Sequence, residues 1–138
     1  MDKKLREIIN NFSDRICEND CIYLYNYISN IANDINNGES IFLIGQSGVG
    51  KTTLLNEIKN YVGVDRYNEG LPENMQPLII NLIIFDGAHS NYNYYSIDDI
   101  QLINNLILQG KSCIITSVTD VYFYNINILN KVRKIWMS

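Results

Sequence analysis

Residues Phe42 to Ile58 read FLIGQSGVGKTTLLNEI. An apolar run enters a glycine-rich loop, and a lysine and two threonines lead out of it. Leu54, Leu55, Ile58 and Val62 then recur at helical spacing,. The loop therefore lies between a strand, Ser40 to Ile44, and a helix from about Thr52 to Val62. Glycines in that place let successive backbone N–H groups turn inward around an anion without a Cβ clash. The helix that follows points its positive end at the same anion. Lys51 is the only charged side chain in GQSGVGKTTLL and can reach the β- and γ-phosphates of a nucleotide, while the Thr52 hydroxyl suits Mg²⁺,. The spacing is a full G-x-x-x-x-G-K-[ST] match. The candidate nucleotide-binding residues are Gly45, Gln46, Ser47, Gly48, Val49, Gly50, Lys51, Thr52 and Thr53.

Working outward, an acidic residue is expected at the end of a neighbouring strand. The apolar run from Leu78 to Phe85 supplies a strand buried on both faces, and Asp86 follows it,. Asp86 would hold Mg²⁺ opposite Thr52, which makes Thr52 and Asp86 the candidate metal residues. Two helices open the chain, Lys3 to Cys17 and Ile22 to Asn36, the second with Leu24, Ile28, Ile31 and Ile35 on one face and Gly38 as its stop. GVDRYNEGLPENMQP reads as a polar connection. Ser96 caps a further helix with Asp98 and Asp99 in its first turn and Ile100, Ile103, Leu106 and Ile107 facing inward, and Gly110 ends it. Ser112 to Thr116 forms a third strand. The tail holds one more helix or strand, and RKIWM suits a short edge strand. Strands alternating with helices make an α/β chain with a short parallel sheet. Residues 1–138 read as a single nucleotide-binding domain, with 1–37 as a helical N-terminal extension.

Composition narrows the function. The 138 residues carry a net charge of −4, which argues against a broad electrostatic nucleic-acid surface. The KVRK cluster, Lys131 to Lys134, leaves direct nucleic-acid contact open. Apolar runs are of strand length, so no membrane span is expected, and no apolar stretch follows the basic N-terminus as in a signal peptide. A cytoplasmic protein is the expectation. Cys17 and Cys21 stand one helical turn apart, but a structural zinc site needs more ligands than the single histidine, His89, can complete. Cys113 sits in an apolar run as a small buried side chain.

GQSGVGKTTLL resembles the Walker A motif of P-loop NTPases, and LIIFDGAH resembles their Walker B. DDIQLINNLILQGKSCIITSVTD is similar to the AAA+ ATPase core of DnaA and its relative Hda, in which a helix ending in Gly-Lys leads to a strand closing on a small polar sensor residue. Thr116 or Ser117 matches that position. The resemblance implies a three-layer α/β/α fold, ATP and Mg²⁺ as ligands, and a catalytic set of Lys51, Asp86, Thr116 and Arg133. Arg133, in NILNKVRKIW, takes the place of an arginine that acts on a neighbour's nucleotide. The partners implied are ATP and ADP, with self-assembly or a protein of the replication machinery.

The departures from that pattern are informative. Roughly 35 residues lie between Lys51 and Asp86, so an additional strand–helix pair barely fits,. The C-terminal helical lid of the family is not expected, and Gly87 stands where many members carry a second acid that orients water. Glu69, Glu73, Asp98 and Asp99 are the acids left to replace it. The leading functional reading is an ATP-binding protein of the DnaA/Hda or helicase-loader kind, with nucleotide-controlled assembly and weak hydrolysis. The alternative is a small ATPase similar to TsaE, which assists tRNA threonylcarbamoyladenosine formation. A small-molecule kinase is a third reading, weakened by the lack of arginine-rich lid segments. The chain has no Asn-Lys-x-Asp guanine motif, which favours ATP over GTP.

Overall fold

A computed structural model of the chain describes residues 2–70, 80–87, 96–119 and 130–138. Its helices are α1 (Lys3–Asn10), α2 (Glu18–Ala32), α3 (Lys51–Val62) and α4 (Ile97–Leu108). Its strands are β1 (Ser40–Ile44), β2 (Tyr67–Glu69), β3 (Leu82–Asp86), β4 (Ser112–Ser117) and β5 (Val132–Trp136). The strands form one sheet in the order β2-β3-β4-β1-β5, and every pairing is parallel. β1 thus has a neighbour on each side, and β4 separates it from the acidic strand β3.

Alternation along the strands divides the core in two, because successive side chains leave a strand on opposite faces. Ile41 and Leu43 of β1, with Leu82, Ile84 and Ile114, pack beneath α1, α2 and α3. Phe42 and Ile44, with Ile83, Cys113 and Ile115, pack beneath Ile103 and Ile107 of α4. The result is the expected three-layer α/β/α arrangement. Leu5, Leu24 and Ile28 are fully covered within the first cluster, so the helical N-terminal segment is part of the core.

Several boundaries differ from the sequence reading, among them the start of α2, which lies at Glu18 and not at Ile22. α1 ends at Asn10, and a turn through Arg15 separates it from α2. α2 ends at Ala32, before Gly38, because Asp34 adopts the left-handed conformation (φ 61°), which a right-handed helix cannot contain,. Ile35 therefore falls off the apolar face and is exposed. The connection after α3 is not wholly irregular: Tyr67–Glu69 adds the edge strand β2 to β3. The strand anticipated from Leu78 begins at Leu82, with Ile80 and Asn81 outside it and Leu78 outside the described residues.

The other elements follow the sequence. Ser96 caps α4 by accepting a hydrogen bond from the Asp99 N–H at 3.1 Å,. The RKIWM segment is the edge strand β5, paired with β1 from Ser40↔Val132 to Ile44↔Trp136. Among the described residues no helix is long and apolar enough to cross a membrane.

Candidate functional site

β1 delivers the chain to Gly45 at the C-terminal edge of the sheet, and α3 starts at Lys51. The loop between them turns back tightly. At Gly45 a Cβ would lie 2.7 Å from the Met137 carbonyl oxygen and 2.9 Å from the Val49 Cγ2, closer than any side chain tolerates. At Gly50, the N-cap of α3, φ is 101° and a Cβ would lie 2.8 Å from the Arg15 guanidinium,. Space thus requires glycine at Gly45, and space and conformation together require it at Gly50.

Beside the loop lies a cavity of about 260 Å³, lined by Ser47, Gly48, Gly50, Lys51, Thr52 and Thr53 on one side and by Gly87, Thr116, Ser117 and Val118 on the other. The first group comes from the loop and α3, the second from the ends of β3 and β4. The parallel register places Asp86 opposite Thr116, and this brings the distant motifs together.

Asp86 is buried and receives two hydroxyl hydrogen bonds. Thr52 Oγ1 donates to its Oδ2 at 3.0 Å, and Thr116 Oγ1 donates to its Oδ1 at 2.6 Å. Thr116 Oγ1 also accepts from the Gly87 N–H at 2.9 Å. Thr116 therefore ties the carboxylate to the backbone that follows it, while Ser117 Oγ accepts from the Thr119 N–H. Of the two candidate sensor positions, only Thr116 bonds to Asp86 in this arrangement.

Lys51 Nζ donates to the carbonyl oxygens of Gly45 and, at 2.9 Å, Gln46. Burial lowers its pKa, and the Asp86 charge opposes that shift. The side chain thus lies folded along the loop, over two carbonyls that disperse its charge.

The residues present fit Mg²⁺. Thr52 and Asp86 offer hard oxygen donors converging within one hydrogen bond of each other, the donor set this cation selects,. The cavity holds the third requirement, open space next to those donors for phosphate oxygens and water.

Arg133 is placed elsewhere. It pairs in register with Ile41, near the start of β1, while the loop begins after Ile44. At roughly 3.3 Å per residue it sits about 13 Å down the sheet from Gly45. Its Nε and Nη2 donate to Asp20 Oδ1 at 3.1 and 2.9 Å, and its guanidinium stacks 4.7 Å from the Tyr23 ring centroid. The structure separates it from the group formed by Lys51, Thr52, Asp86 and Thr116, and binds it to α2.

Of the acids considered as replacements at the Gly87 position, Glu69, Asp98 and Asp99 are not among the described residues that line the cavity. Glu69 pairs with Lys59, and Asp98 and Asp99 lie in the first turn of α4. Glu73 and His89 lie outside the described residues.

One residue bearing on the loop was not legible in the sequence. Arg15 Nη1 donates to the Val49 carbonyl at 2.9 Å. The contact spans 34 positions, and neither its spacing nor a motif signals it.

The family model described as ABC transporter matches residues 28–66. That span runs from within α2 through β1, the glycine loop and α3, so the match speaks to the phosphate loop. Among solved structures, the crystal structure of DnaI is similar in fold: the match covers 96% of this chain and 90% of that chain, with a TM-score of 0.55 at 16% sequence identity. No curated protein matches the sequence.

Proposed function

We propose that this chain is a P-loop NTPase of the AAA+-like kind and a cytoplasmic ATP-binding switch of the helicase-loader sort, whose nucleotide state governs assembly with a protein partner in DNA replication. The observation that carries the nucleotide reading is the convergence of Lys51, Thr52, Asp86 and Thr116 on one cavity beside the glycine loop. The DnaI-like fold favours a helicase-loader-like assignment over the TsaE-like one.

In this reading Lys51 leaves the Gly45 and Gln46 carbonyls and pairs with phosphate oxygens. The N–H groups of the loop and of the first turn of α3 add the remaining contacts. Thr52 and Asp86 would hold Mg²⁺, whose chemistry is to neutralise charge on the β- and γ-phosphates. Thr116 fixes the rotamer of Asp86 and links it to the Gly87 N–H. A change at the phosphate end of the site would then reach the ends of β3 and β4 through two hydrogen bonds.

Hydrolysis is expected to be weak. In-line attack requires a positioned water, which can supply several kcal/mol of barrier lowering. Asp86 is engaged by Thr52 and Thr116 and would hold the cation, and Gly87 offers no side chain. Phosphate release at saturating ATP and Mg²⁺ should fall well below ~1 s⁻¹, the low end of the usual enzyme range. Brisk wild-type turnover, abolished in Lys51→Ala, would show that another group positions water, and the switch reading would be dropped. Light-scattering size measurements with ATP and with ADP, with and without replication proteins, test the assembly part. A monomer that engages no partner in either state contradicts it.

A further inference from the structure

We propose that Arg15, in the turn between α1 and α2, is a positioning residue of the phosphate loop, holding the Val49–Gly50 peptide in the orientation that presents the Gly50 N–H to a phosphate. This rests on the nucleotide reading of the cavity and adds to it a residue from outside the motif. In a trans peptide the carbonyl oxygen and the N–H of the next residue point in opposite directions. The Val49 carbonyl is drawn out of the loop to Arg15 Nη1 at 2.9 Å. The Gly50 N–H must then point the other way. Gly50 lines the cavity and Val49 does not, so that direction is toward the site.

The alternative is a flipped peptide, with the Val49 carbonyl turned to the phosphate. Flips are inexpensive where the second residue is glycine, which accepts the altered φ. A carbonyl there would repel the anion and remove one donor. The Arg15 bond therefore selects between two loop states, of which only one suits an anion.

The surroundings hold Arg15 in place. The Phe12 ring lies 3.3 Å from the position of a Gly50 Cβ, and Phe12 is buried. The Arg15 carbonyl accepts a hydrogen bond from the Ser138 N–H at 3.0 Å, and the Met137 N–H donates to the Ile44 carbonyl at 2.8 Å. The turn after α1 and the segment after β5 thus brace the outer side of the loop from two directions. The Arg15 residue is itself exposed, so changing its side chain spares the core.

The test compares Arg15→Met, which keeps an apolar stem but no donor, with Arg15→Lys, which keeps a donor of comparable reach. Affinity for ATP and ADP with Mg²⁺ is measured by calorimetry on the full chain, with Lys51→Ala alongside and thermal midpoints taken without nucleotide. Arg15→Met should bind roughly five- to tenfold more weakly, the loss of about one hydrogen bond's worth of preorganisation. Arg15→Lys should stay within about twofold of wild type, with unchanged midpoints in both. The Gly50 amide resonance should move on ATP addition in wild type and Arg15→Lys and lose most of that shift in Arg15→Met, a readout that holds even if one variant is less stable. Wild-type binding by Arg15→Met, with Lys51→Ala impaired, overturns the role of Arg15 and leaves the site standing. Equal losses in the Met and Lys variants also overturn it, since the donor would then restore nothing, and so does binding kept by Arg15→Lys without the Gly50 shift, since charge alone would then explain it. Unimpaired binding by Lys51→Ala would instead remove the nucleotide reading itself.

Discussion

Lys51→Ala is expected to bind ATP at least tenfold more weakly than the wild-type chain, with little change in stability. The affinity loss follows from charge. Lys51 is the single cation within the loop motif, and a charge-assisted contact to phosphate contributes about 1.5–3 kcal/mol, roughly ten- to a hundredfold in affinity. The small stability effect follows from what Lys51 does without nucleotide. Its ammonium serves the Gly45 and Gln46 carbonyls at the edge of the cavity, and burial already disfavours its charged form. Removing it exposes those carbonyls to water entering the cavity, so neither loses all partners. Calorimetric titration with ATP, paired with chemical denaturation of both proteins, checks the two halves separately. Equal affinity would refute the phosphate cradle.

Phe42→Ala should produce the largest stability loss, about 3–5 kcal/mol, from a cavity in the centre of the sheet. Phe42 is fully buried, stands on β1 between β4 and β5, and packs in the cluster beneath α4 with Ile44, Ile83, Ile103 and Ile107. A central parallel strand has little freedom to close the space, because its backbone is hydrogen-bonded on both sides,. Domains of this size are stabilised by about 5–15 kcal/mol in total, so the variant would be near the limit of folding. Denaturant unfolding measures the effect. A loss below about 1 kcal/mol would mean that the α4 layer is loosely packed.

The unit of strand, loop and helix around Lys51 was legible because each of its parts carries a local signal. Apolar residues fill β1, glycines mark the loop, and helical spacing gives Leu54, Leu55, Ile58 and Val62, all of which are buried in α3. Asp86 and Thr116 were legible as strand ends. The sequence did not show that Thr116 bonds directly to Asp86, since that depends on the β3–β4 register.

Three features had no local signal. β2 consists of Tyr67, Asn68 and Glu69, none of them an aliphatic β-former. Its main-chain pairing to β3 decides its structure,. α2 stops early at Ala32 because of the conformation of Asp34, and the asparagines around it blur the boundary,. Arg133 was singled out by motif position, but its surroundings come from Asp20 and Tyr23, more than a hundred residues earlier in the chain. Its ion pair and ring contact are tertiary facts, as is the Arg15 bond to Val49.

The central claim is that the loop, Thr52 and Asp86 form one magnesium–nucleotide site. The direct measurement is ATP affinity with Mg²⁺ and with chelator, in the wild-type chain and in Thr52→Ala. The account predicts that Mg²⁺ strengthens wild-type binding and that Thr52→Ala loses most of this gain while matching the wild type in chelator. Identical Mg²⁺ dependence in the two proteins would contradict the pairing of Thr52 with Asp86 as the cation site.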